Sequence, residues 1–144
     1  MTFKNIIMII GLMFLFINCS KEETRDRISY EIIHENSLSY SEENKIPKQF
    51  KVFENENEWN IFIPEIERVN PNQAEILKNL NFDFINNNLI IVIGEYFFYC
   101  CSEITIVGVY NNREKVTVDF YESGPGELTA VSQAILILKI KKDK

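Results

Sequence analysis

The chain has 144 residues, of which 15 are Lys or Arg and 21 are Asp or Glu, giving a formal net charge of −6. This acidic balance, without a basic stripe interleaved with aromatics, excludes the electrostatic footprint of a nucleic-acid partner. Three cysteines and one histidine, with no Cys-x-x-Cys spacing, give no metal site, and no motif asks for a cofactor.

Ile6 to Ile17 is an almost unbroken apolar run behind a single cation, Lys4. A spanning helix needs about 20 apolar residues. The run is shorter and has the n-region and h-region layout of a secretory signal, so residues 1–18 are expected to be cleaved. Removing 18 of 144 residues leaves 126, enough for one domain, and with only Lys4 lost the charge becomes 14 − 21 = −7. Phe16, Ile17, Asn18 and Cys19 resemble the lipobox of bacterial lipoproteins, which implies lipidation of Cys19. Ser20, Lys21, Glu22 and Glu23 resemble the export signal of surface lipoproteins in Bacteroidota-type bacteria. The plainer alternative is a hydrated spacer on a periplasm-facing lipoprotein. Residues 19–27 are then lipidated Cys and charged tether, and residues 28–144 a single globular domain. The expected location is the outer membrane, at the cell surface or, on the alternative, facing the periplasm. Acyl chains contribute about 0.8 kcal/mol per buried CH₂, so the membrane is a partner through the lipid alone.

Ile28 to Ile33 predicts a first strand, and the polar stretch His34 to Lys45 a disordered loop. Gln49 to Phe53 sets Phe50 and Val52 against Lys51 and Phe53, predicting a second strand. Trp59, Phe62, Ile63 and Ile66 then fall at helical spacing, with Asn55 or Asn57 offered as the start. Pro64 removes a backbone hydrogen bond, so this helix is expected to end or kink near Ile63. Asn70, Pro71 and Gln73 supply an N-cap, a first-turn proline and a capping-box partner for a second short helix to about Asn79. Leu89 to Ile93 is continuously apolar, the pattern of a central strand buried on both faces. Glu103 to Tyr110 and Lys115 to Tyr121 form a hairpin across Asn111–Glu114. Ser123 to Gly126 is a further turn before a last strand, Val131 to Lys141. The fold class is therefore α+β: a mainly antiparallel sheet of about six strands, with two short helices inserted between strands two and three.

Several of these features occur together in order: the extended Phe50–Phe53 segment, an acidic helix start with Trp59, then Phe82, Asp83 and Phe84 before the apolar Leu89–Ile93 strand. They continue with Ile104, Thr105 and Ile106, their partner Val116, Thr117 and Val118, and the closing strand Ile135–Ile140. In this pattern, which covers most of residues 48–142, the chain resembles the C-terminal domain family named for the protease complex subunit PrcB. The resemblance implies an accessory or assembly role beside a protease rather than catalysis, and it carries over no binding residue.

Cys100 and Cys101 are the chain's oddest pair. Alternation along a strand would send one thiol inward and one outward. A trans peptide holds neighbouring Cα atoms about 3.8 Å apart, below the usual disulfide range of about 4.4 to 6.8 Å, so a bridge between them is disfavoured. The readings left open are structural thiols, a vicinal bridge, and a redox-active or intermolecular thiol. A thiol nucleophile needs a base, and His34 is the only histidine, with no local signature around the cysteines. Asp83, Glu95, Glu103, Asp119 and Glu127 are carboxylates that convergence could pair for hydrolysis, although acidic residues on strands are usually a solvated face. Ser123–Gly126 lacks the glycine two places before the serine that a nucleophile elbow requires. Trp59 belongs to the apolar helix face, with a ligand-stacking platform as the alternative. Tyr96, Phe97, Phe98 and Tyr99 cannot all enter one core, so about two of them form an exposed contact patch or lie beneath the helices. The expected function is a lipid-anchored, non-enzymatic binding or assembly module with a protein partner, as in an accessory subunit of a surface protease complex. The alternative is a small hydrolase or thiol enzyme using Cys100 or Cys101.

Overall fold

A computed structural model describes residues 25–38, 44–112, 115–124 and 126–142; Cys19 and the Ser20–Glu23 motif lie outside them. The elements run β1 (Asp26–Ile28), β2 (Tyr30–Ser37), β3 (Gln49–Phe53), α1 (Glu56–Val69), α2 (Pro71–Lys78), β4 (Asn87–Phe97), β5 (Glu103–Asn112), β6 (Lys115–Ser123) and β7 (Ser132–Lys141). Every strand pair is antiparallel. One sheet has the order β2-β7-β4-β3 and the other β1-β5-β6. The α+β class and the inserted helix pair are as the sequence predicts, with one strand more and two sheets in place of one.

The extra strand arises at Ser29. Ile28 pairs with Val109 of one sheet and Tyr30 with Ile140 of the other, so the chain changes sheets across a single residue. Asp26 and Arg27, read from sequence as tether, are already in β1. β2 also runs further than expected, because His34 to Ser37 pair with Ile137 to Ala134 after a register shift between Ile32 and His34. These four residues are strand, not loop; their polar side chains suit an edge, where one neighbour supplies all the pairing.

α1 begins where Asn55 Oδ1 accepts the Glu58 N–H at 3.0 Å, while a Glu58 carboxylate oxygen accepts the Glu54 N–H at 2.9 Å. It continues through Pro64 to Val69, against the expectation that it would stop near Ile63. An interior proline costs roughly 3 kcal/mol. Burying one Ile or Val contributes about 1.5 to 3 kcal/mol, and Ile66 and Val69 beyond the proline are both buried, so packing outweighs the lost bond. Asn70 caps α2 by accepting the Gln73 N–H at 3.0 Å. The Gln73 side chain does not close the box but meets His34 Nε2 at 3.0 Å.

Two cores result. Phe53, Trp59, Phe62, Ile63, Ile66 and Leu77 pack with Leu89, Ile91, Ile93, Ile135 and Ile137 between the helices and the four-stranded sheet. Ile90, Val92, Leu136, Leu138 and Ile140 face Ile104, Val109 and Val118 of the other sheet. β4 and β7 therefore sit at the centre of three layers, and that is why both read as continuous apolar runs.

The strands define two ends. β1 enters at one end, where Asp26 pairs with Asn111 and Asn87 with Lys141. β5 then spans ten residues, about 30 Å at the usual strand rise. At the far end lie Phe98–Ser102, the Ser123–Val131 connection, and Leu38 and Ile46. The entry end is tied by Asp83, whose carboxylate accepts from the backbone of Ile85 and from the Asn86 side chain at 2.9 and 2.8 Å. The Asn86 side-chain bond is the main cause that holds the Asp83 carboxyl below its ordinary value. Because the folded value is depressed, this support is present above the unfolded carboxylate pKa and is lost as pH falls through the folded one. Asp83→Ala is therefore expected to lower the melting temperature slightly at neutral pH, and thermal melts should converge with wild type in acid.

Candidate functional site

The far end carries the exposed aromatic and sulfur groups. β4 departs from its ladder between Ile93 and Tyr96, so the Glu95 N–H is free to turn outward. That N–H donates to Glu122 Oε1 at 2.7 Å, and Glu122 Oε2 meets Lys48 Nζ at 2.7 Å. The Glu122 side chain is only 6% exposed, and a Cβ on Gly94 would overlap its carboxylate, so glycine is what admits this clasp between the sheets. Beyond the shift, Tyr96 and Phe97 are half-buried while Phe98 and Tyr99 are 59% and 48% exposed. Two of the four aromatics thus face outward, uncovered by the helices. Phe98 sets its ring against Tyr96 edge-on at 5.4 Å, and Lys45 Nζ lies 5.3 Å above the Tyr96 ring.

Cys100 and Cys101 are joined by a disulfide across a cis peptide bond. The sequence reading disfavoured this bridge because it took the peptide as trans; the cis link changes the premise. Neither sulfur is a free thiol here, and His34 is held at Gln73, so the Cys-His dyad is not formed. Cys100 N–H donates to the Leu128 carbonyl at 2.8 Å, and Ser132 Oγ to the Tyr99 carbonyl at 3.1 Å. These bonds fix the Phe98–Cys101 segment against the Ser123–Val131 connection. Gly124 (φ +114°) and Gly126 permit the approach. A Cβ on Gly124 would come within 2.8 Å of the Cys101 carbonyl oxygen, and one on Gly126 would overlap that of Cys100. Leu128 is 71% exposed beside the disulfide, and the buried Ser102 hydroxyl has no partner among the described residues.

Phe98, Tyr99, Leu128 and the exposed Cys101 stand on neighbouring segments joined by the Cys100–Leu128 bridge and make an apolar prominence at the far end, with exposed carboxylates at Glu95 near the end of β4, at Glu103 at the start of β5 and at Glu127 in the connection. Of the other carboxylates, Asp83 binds Asn86 at the entry end and Asp119 faces Arg25 at 3.5 Å. The five acidic candidates thus divide between the two ends instead of converging. No group of three His, Cys, Asp or Glu side chains able to hold a metal occurs among the described residues. Trp59, 4% exposed, is core, with Phe53 at 5.1 Å. Leu128 carried no sequence signal, since a lone leucine in a turn-rich segment is unremarkable before its partner strand is known.

Compared with protein-family models, curated proteins and solved structures, the chain shows no significant match.

Proposed function

We propose that this is a non-enzymatic binding module, held to the outer membrane by lipid on Cys19 and meeting a protein partner with the end that carries Phe98, Tyr99, Leu128 and the disulfide. The observation that carries the reading is that apolar prominence. Large side chains stand exposed together on loops fixed by backbone hydrogen bonds, a disulfide and two obligatory glycines, at the end opposite the entering chain. Rigid aromatic anchors surrounded by polar groups are the usual energetic centre of a protein interface. The narrower form, an accessory subunit beside a surface protease, rests on the family resemblance of residues 48–142.

The test is site-specific photo-crosslinking on native membranes, with benzoylphenylalanine in place of Phe98 or, as control, of Ile61, which is exposed on α1. A discrete adduct from position 98 that is absent from position 61 is the expected result. Equal or absent crosslinking at both positions would remove the far end from the interface.

A further inference from the structure

The entry end holds a different feature, a cavity of about 500 Å³ at the corner where the chain passes from β1 to β2. Ile28 and Tyr30 form its apolar wall; both pack against the core between the two sheets. Ser29 and Asn87 add polar groups. Lys139 and Lys141 from β7 line the other side, with Glu31 opposite, already paired to Lys139. Two cations and one carboxylate leave the lining one positive charge in excess, in a chain whose mature charge is −7. Lys141 has no partner among the described residues. A smaller recess of about 360 Å³ shares Ile28, Ser29 and Tyr30 and includes Arg27, whose guanidinium already donates to the Val107 carbonyl at 2.9 Å.

We infer that this cavity takes the phosphodiester head of a membrane phospholipid, with Lys141 as the principal cation, Ser29 and Lys139 as further donors, and Ile28 and Tyr30 against the glycerol and first acyl carbons. Charge selects the class. A single excess positive charge matches a monoanionic diester better than a dianionic monoester, and the apolar wall has no use in holding a free anion. Position selects the source. Five residues separate Cys19 from Arg25, six steps that reach at most about 20 Å, and the cavity begins three residues later. On the lipid-anchor reading, on which this inference rests, the cavity then lies within about 30 Å of the anchored lipid, a range that lets it meet the bilayer's headgroups. Binding there would orient the domain, since a single point of attachment limits distance but not direction. The far end, about 30 Å away along β5, would be turned outward.

The experiment uses the full chain carrying Cys19→Ser, titrated with dihexanoylphosphatidylglycerol below its micelle concentration and followed by amide NMR. Saturable shifts at Ser29, Asn87 and Lys141 are expected. Lys141→Glu should weaken the lipid by at least about tenfold, the loss of one charge-assisted hydrogen bond, while Lys141→Arg retains it. Lys141 is exposed at the end of β7, so both variants should melt like the parent. Inorganic phosphate and hexanoate serve as separate ligands. Saturation by phosphate as tight as by the lipid would make this a free-anion site, and equal saturation by hexanoate a fatty-acid site. Either outcome, an absence of saturation, or an unchanged affinity in Lys141→Glu overturns the proposal. Palmitate incorporation at Cys19 is scored on the wild-type chain. Palmitate without lipid-head binding overturns the cavity alone, and lipid-head binding without palmitate overturns the anchor alone.

Discussion

Replacing Trp59 by Ala is expected to destabilise the domain by about 3 to 5 kcal/mol, the usual cost of truncating a buried aromatic. Its ring packs edge-on against Phe53 at 5.1 Å and stacks near Phe62 at 6.4 Å, and Phe53 meets Phe62 at 5.3 Å. Lys51 covers this triad from the β3 edge, its ammonium 4.9 Å from the Phe62 ring. The indole therefore fills the join between α1 and β3, and no neighbouring backbone can collapse into the space without moving one of those elements. A domain of this size has roughly 5 to 15 kcal/mol in total, so the variant should be partly unfolded at moderate temperature. Urea unfolding should show a lowered midpoint with an unchanged slope. In wild type the single tryptophan should emit blue-shifted and resist iodide; red, fully quenchable emission would return Trp59 to the list of ligand platforms.

Gln133→Ala should cost roughly 3 kcal/mol, because buried groups that lose their partners each forfeit about 1 to 3 kcal/mol. The Gln133 side chain is 1% exposed. Its Nε2 donates to the carbonyls of Ile46 and Gly94, and its Oε1 accepts the Ile46 N–H. Its own backbone carbonyl accepts the Leu38 N–H at 2.7 Å. One residue of β7 thus holds both sides of the connection between β2 and β3 and the start of the β4 register shift. Hydrogen exchange should show the Ile46 amide losing protection in the variant while Leu89 to Ile93 keep theirs. Protection unchanged at Ile46 would mean that the contact contributes little.

Local signals reached far in this chain. The Trp59–Ile66 spacing, the Asn70-Pro71 start and the Leu89–Ile93 run each report one element's own geometry, and each was legible. Where reading fell short, a distant partner decided the outcome. Pro64 argues locally for a break, but the sheet beneath Ile66 and Val69 reverses the balance. The change of sheet at Ser29 depends on Val109 and Ile140, about a hundred residues away in the latter case. Glu122 looks like one more surface carboxylate until the glycine opposite it, Gly94, and the freed Glu95 N–H are placed. Gln133 looks like an interruption of an apolar strand until Ile46 is placed. At the candidate site alternation gives the number of exposed aromatics but not which they are: the exposed pair is the adjacent Phe98 and Tyr99, because β4 ends at Phe97 and the chain leaves the sheet there. The Leu128 pairing and the Cys100–Cys101 bridge have no local signal either.

On the proposed lipid-anchored reading the orientation of the two ends depends on Cys19, and that is where the reading is tested. Among the described residues no helix is long and apolar enough to cross a membrane. If lipid on Cys19 is what holds the protein, cells fed labelled palmitate should yield a labelled wild-type protein in the membrane fraction, and an unlabelled Cys19→Ala protein in the soluble fraction. A wild-type protein that takes up no palmitate, or a Cys19→Ala variant that still sediments with membranes, would contradict the lipid-anchored reading.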